Sequence, residues 1–153
     1  MARVLIIGYG NPLRGDDAFG WLAAQRLREL LHDSDIEILT VQQLTPELME
    51  PISRSSTTIF LDAAATGDPG HLSVTPVDST AAGTASFTHF ATPDALLAGA
   101  RALYGGAPEG LMISVAGADF SLGAELSEPV LRATEELISL AVRDGCWVLP
   151  PFA

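Results

Sequence analysis

The sequence predicts one α/β domain over residues 1–153: a three-layer α-β-α sandwich around a mostly parallel central sheet. Three observations predict it. Short aliphatic runs of strand length alternate with longer segments whose apolar residues recur at helical spacing, the pattern of a sheet with helices on its faces. The runs at residues 3–8 and 57–63 are continuous rather than alternating, as strands covered on both faces are. With 153 residues the chain falls short of two ordinary domains, yet it is long enough to bury a full core.

Taken in order, Arg3-Val4-Leu5-Ile6-Ile7-Gly8 is a buried strand ending in glycine. From Phe19 the period changes: Phe19, Leu22, Ala23, Leu27, Leu30 and Leu31 form an apolar face, with Arg26, Arg28 and Glu29 outside it. Residues 36–41 make a second strand, in which Ile36 and Ile38 alternate with Glu37. Residues 46–52 read as a short helix with Pro46 in its first turn and Thr45 as its cap. The strand at 57–63 carries Asp62 at its end, and residues 72–77 form a strand confined to an antiparallel edge by Pro76. The small polar stretch 78–88 reads as a mobile surface loop. A helix over 93–104 starts at the cap residue Thr92, and a strand follows at 111–116. Ser127 caps a long last helix whose buried face is Val130, Leu131, Thr134, Leu137, Ile138 and Ala141, and residues 146–149 read as a final short strand.

Composition narrows the chemistry. Eight basic residues against nineteen acidic give a net charge of −11, which argues against nucleic acid as a partner. All eight are arginines, so a Walker phosphate loop, a Schiff base and a lysine general base are excluded. Cys146 stands alone, which removes an intrachain disulfide and any multi-cysteine metal site. The opening residues lack the layout of a signal peptide, and no run approaches the roughly 18 apolar residues of a membrane span. A cytoplasmic, monomeric protein without a membrane partner is the expectation.

The segment after the first strand carries the chemistry: Gly8-Tyr9-Gly10-Asn11-Pro12-Leu13-Arg14-Gly15-Asp16-Asp17-Ala18-Phe19-Gly20. Its G-x-G start invites a dinucleotide, but Leu13 stands where the third glycine belongs. Asp16 and Asp17 also place two negative charges at the helix start, where a pyrophosphate would sit. One aspartate is expected to cap the helix and the other to point into the crevice above the sheet, where it would stay ionised and suit a metal. The residues alone leave a pure cap and a cap plus ligand both open. Asp62, ending a buried strand, is costly unless solvated, paired or bound to a cation. It could serve the Ala-Ala-Ala-Thr-Gly turn that follows, and the shared crevice favours a site. His32 ends a helix among acids and His71 lies in a turn facing water. His89, between Phe87 and Phe90, is by itself more often a packed residue than a ligand. Two carboxylates and an imidazole together would suit nickel or zinc with open positions.

The run from Gly8 to Asp17 resembles the N-terminal signature of the nickel–iron hydrogenase maturation endopeptidases. The resemblance continues through Leu61-Asp62-Ala63 with Asp68-Pro69-Gly70, the serine/threonine-rich stretch at His89, and Ala124-Glu125-Leu126-Ser127-Glu128-Pro129-Val130. It implies metal binding at Asp17, Asp62 and His89. It further implies removal of a C-terminal extension from a hydrogenase large-subunit precursor once nickel is in place, with the nickel presented by that precursor. The sequence departs from the family at Ala18, often glycine, and at Val41-Gln42-Gln43-Leu44-Thr45-Pro46-Glu47-Leu48, where many members carry aspartate–glycine–glycine–threonine. Those departures bear on which precursor is processed. The candidate catalytic residues are Asp16, Asp17 and Asp62, with Asp16 or Asp17 or the metal activating a water. The alternatives are a non-catalytic nickel chaperone or scaffold and a nucleotide-binding α/β module.

Overall fold

The computed structural model describes residues 3–78, 91–106 and 108–144. At its centre, Leu5, Ile6, Ile7 and Gly8 of β1 (Val4–Tyr9) are all buried. A strand is buried on successive residues only when both faces of its sheet are covered. The parallel neighbours of β1 are β2 (Ile36–Val41) and β3 (Thr57–Ala64), whose registers set Val4 opposite Ile36 and Thr57. Beyond β3 lies β5 (Glu109–Ala116), also parallel, with Asp62 opposite Ser114. The edge strand β4 (Leu72–Val77) runs antiparallel to β5, and the five strands take the order β2-β1-β3-β5-β4. Pro76, which has no N–H for a ladder, is accommodated on that edge as its sequence position requires.

Two cores follow from the pleat. Ile6, Ile59, Leu61, Ile113 and Val115 face one way, against Phe19, Ala23 and Leu27 of α1 (Phe19–Leu30) and Val130, Leu137 and Ala141 of α4 (Glu128–Asp144). Leu5, Ile7 and Phe60 face the other, against Met49 and Ile52 of α2 (Met49–Ser53) and Leu96, Leu97 and Ala100 of α3 (Pro93–Tyr104). The α-β-α sandwich read from the sequence is therefore the observed architecture. Among the described residues, no helix is long and apolar enough to cross a membrane.

Several local readings change. Leu30 and Leu131 are 44% and 46% exposed, because the buried arcs instead run through the small residues Gly20 and Ala24 in α1 and Ala133 in α4. Small residues let a helix approach its neighbour closely, and that shifts which side chains the contact covers. Thr45 precedes the Pro46–Leu48 turn without a capping hydrogen bond, since its hydroxyl donates to Glu47 Oε1 at 2.9 Å. Thr92 does cap α3, its Oγ1 accepting from the Ala95 N–H. β5 begins two residues early, at Glu109 and Gly110, which pair with Thr57 and Thr58. The loop read over 78–88 lies outside the described residues apart from Asp78, as do Cys146 and the strand read at 146–149.

The chain fills the sheet from β1 outward to β2, then crosses back to β3 on the other side. That reversal opens a crevice above the carboxyl ends of β1 and β3, where open α/β sheets bind their ligands. The helix that starts beside this crevice sits unusually close to the strands. A Cβ on Gly20 would fall 2.2 Å from the Leu61 carbonyl oxygen and 2.5 Å from that of Tyr9. Gly20→Ala should accordingly lower stability by about 3 kcal/mol, measured by urea denaturation, because rigid backbone must move to admit one methyl.

Candidate active site

The turn that leaves β1 is built to hold carboxylates rather than to receive an anion. Every backbone N–H from Gly10 to Asp17 is already engaged; Pro12 has none. Gly10 donates to the Val41 carbonyl, Arg14 to Asn11, Gly15 to Ala124, Asp16 to Asp119 and Asp17 to Arg14. The Asn11 N–H donates to Asp17 Oδ2 at 2.8 Å, and Leu13 donates to the Asn11 side-chain oxygen at 2.9 Å. A phosphate loop works by offering free N–H groups, so this arrangement removes the physical basis of a nucleotide site. The glycines serve backbone contact instead. Gly10 has φ 142°, and a Cβ there would lie 2.0 Å from the Asp17 carbonyl oxygen.

Neither aspartate caps α1. The residue at its cap position is Ala18, which makes no side-chain bond, and both acids belong to the preceding 3-10 turn Gly15–Ala18. Asp16 is fully buried. Its Oδ2 accepts from the N–H groups of Ala118 and Asp119 and from the Ser127 hydroxyl, and its Oδ1 accepts from the Ser127 N–H at 2.7 Å. Burial pushes the carboxyl up, but these four donors outweigh it and hold it below the usual carboxylate range. With both oxygens occupied and no face to the crevice, Asp16 is not placed to take a proton from water. Sequence reasoning names Asp16 as a candidate catalytic residue, and the structure places it within this buried hydrogen-bond network. The aspartate instead holds Ser127, the residue just before α4, through both its N–H and its hydroxyl.

Asp17 and Asp62 lie near enough in the crevice for their charges to act on each other. The Asp17 carboxylate is partly exposed and held at Oδ2 by Asn11, and among the described residues no donor reaches its Oδ1. Asp62, in β3, accepts from the Ala63 N–H at 2.7 Å. Burial pushes its carboxyl up; hydrogen bonding from Tyr9 and Ala63 pulls it down, the Asp17 charge adds to the rise, and the net direction is upward. Tyr9 is the residue that sequence reasoning missed. At the end of β1 it is flanked by burial and by both carboxylates, which together push its phenol far above the ordinary range and keep it a neutral donor toward Asp62. A hydroxyl between two glycines at a strand end was the available signal.

His32 and His71 are exposed. His89 lies outside the described residues. Among the described residues, no group of three or more His, Cys, Asp or Glu side chains is arranged to hold a metal. What those residues offer a cation is two oxygen donors whose mutual repulsion a positive charge would relieve.

No family model matches the sequence, and no curated protein does. Solved structures do, and they define the class: the fold is that of the hydrogenase maturation proteases, as the motifs suggested. A NiFe hydrogenase maturation protease HycI from Thermococcus kodakarensis KOD1 is 28% identical over 92% of this chain and 90% of its own, with a TM-score of 0.77. A hydrogenase 2 maturation peptidase from a Thaumarchaeota archaeon is 27% identical, covering 93% of this chain and 97% of its own, at a TM-score of 0.69. The hydrogenase maturating endopeptidase HybD from E. coli shares the fold at 21% identity and a TM-score of 0.69, covering 94% of each chain.

Asp16 and the partly buried Asp62 should act on stability with opposite signs. Asp16 has a lowered folded value, so its contribution is present above the ordinary aspartate value and is lost as pH falls from there through the lowered folded value. Asp62 has a raised folded value, so its ionisation opposes folding and its effect eases on acidification between the ordinary and the raised value. Asp62→Asn should therefore raise the unfolding midpoint at pH 7 while flattening the pH dependence just above the aspartate range. Urea melts across pH 3–7 would check both, and a destabilised Asp62→Asn at neutral pH would contradict the assignment.

Proposed function

We propose that this chain is a single-domain endopeptidase that removes the C-terminal extension of a nickel–iron hydrogenase large-subunit precursor after nickel insertion. The observation that carries the reading is the proximity of Asp17 and Asp62 at the switch point of a maturation-protease fold, with no anion site beside them. The precursor brings nickel as part of the substrate. Asp17, Asp62 and His89 are the residues proposed to receive it, two carboxylates and an imidazole being a donor set that borderline cations accept. A cation there supplies positive charge that polarises a neighbouring carbonyl.

The chain's own groups divide the work. Asn11 fixes the Asp17 carboxylate through Oδ2, which leaves Oδ1 to accept a proton from the attacking water. The hydroxide adds to the scissile carbonyl, the C–N bond breaks, and the proton passes to the departing amine. Tyr9 stays protonated and orients Asp62. No serine needs to act as a nucleophile: the Ser127 hydroxyl donates to buried Asp16.

Incubation with nickel-loaded precursor, followed by intact mass, tests this. Wild type should shorten the precursor by one C-terminal peptide. Asp17→Ala, Asp62→Ala and His89→Ala should each lose about 10²-fold or more of that activity. A wild-type reaction that leaves the mass unchanged would point to a nickel chaperone, and full activity in all three variants would overturn the site.

A further inference from the structure

We infer that Asp16 is the positioning residue of this site, a buried carboxylate that locks the 117–127 loop and the start of α4 onto the turn carrying Asp17. The catalytic consequence rests on the endopeptidase reading; the positioning itself does not. Asp16 reaches partners 102, 103 and 111 residues away along the chain, at Ala118, Asp119 and Ser127. The tie is reciprocated by backbone. Asp16 N–H donates to the Asp119 carbonyl at 2.8 Å, Gly15 N–H to Ala124 at 3.2 Å, and Gly123 N–H to Leu13 at 2.7 Å. Two glycines admit the approach. A Cβ on Gly15 would stand 2.3 Å from the Asp119 carbonyl oxygen, and one on Gly117 would stand 3.0 Å from Asp16 Cβ.

Among the described residues no cation pairs with Asp16, so N–H and O–H dipoles alone hold its charge. That explains why an acid is needed here. Four converging donors call for acceptors on both oxygens, and an asparagine NH₂ would set donor against donor. Asp17 follows in the same single turn, its own N–H bonded to Arg14 and its carboxylate to Asn11. A turn released from the 117–127 loop would carry Asp17 with it, and misplacement of a reacting group by about 1 Å costs about 10²-fold in rate.

The test compares Asp16→Asn with Val130→Ala, a core truncation in α4 outside the site. The backbone amide resonance of Asn11 reports the Asp17 carboxylate directly, because that N–H is bonded to it. In Asp16→Asn the Asn11 signal should shift, the Ala118, Asp119 and Ser127 amides should lose exchange protection, and kcat on the precursor should fall about 10²-fold with KM within threefold. Val130→Ala should lower the melting temperature but leave the Asn11 signal and kcat in place. If Asp16→Asn does not fold, Ser127→Ala removes one hydroxyl donor and should shift the Asn11 signal in the same direction by less. An Asn11 signal unmoved in the folded Asp16 variant, or in Ser127→Ala where that must substitute, would overturn the positioning role. A moved signal alongside a wild type that does not cleave would leave that role standing and remove the protease reading instead.

Discussion

The first turn of α1 lies in direct backbone contact with the ends of β1 and β3, and the placement of every group in the site depends on that approach. Gly8 and Gly20 make the contact: a Cβ on Gly8 would meet the Gly20 carbonyl oxygen at 2.0 Å. A dinucleotide fold uses glycines at the same point so that a pyrophosphate can approach the backbone. Here the backbone approaches itself. The helix start fills the space a phosphate would need, and the turn before it has spent its N–H groups on carbonyls and on Asp17. A comparable switch point thereby presents negative charge to the crevice.

From that constraint the two aspartates of the turn part company. Successive residues in a tight turn point in different directions, so Asp16 is driven inward toward the 117–127 loop while Asp17 remains over the crevice. The inward carboxylate finds four donors and becomes structure. The outward one lies near Asp62 above the carboxyl ends of the paired strands β1 and β3. Identical side chains, one residue apart, thus do different work because their surroundings differ, and a count of acidic residues in the motif cannot separate them.

Much of this was legible in the sequence where the signal is local. The β2 and β4 bounds, the Pro76 edge and the Thr92-capped α3 follow from periodicity, proline and capping chemistry confined to a few residues. Asp17 and Asp62 were legible as site candidates because one follows β1 and the other sits near the end of β3, and strand ends face the crevice. The partners of Asp16 were not, since more than a hundred residues separate them and nothing near Ala118 marks it as a donor. The exposed Leu30 and Leu131 failed for a related reason. Helical periodicity weights large apolar side chains, whereas the buried faces of α1 and α4 also include glycine and alanine positions.

The cost carried by Asp62 has a direction. Burial and the Asp17 charge both disfavour its ionised form, while Tyr9 and Ala63 relieve that only in part. A cation placed between the acids removes the repulsion, so binding is tighter than for either carboxylate alone. Under the proposed reading the cation arrives on a partner. A precursor that carries nickel then gains an interaction that an empty one lacks, and discrimination is set by that difference in binding free energy. The protein would need no separate sensor of nickel loading. The pair of acids that makes the free crevice unfavourable is itself the element that distinguishes a loaded substrate from an unloaded one.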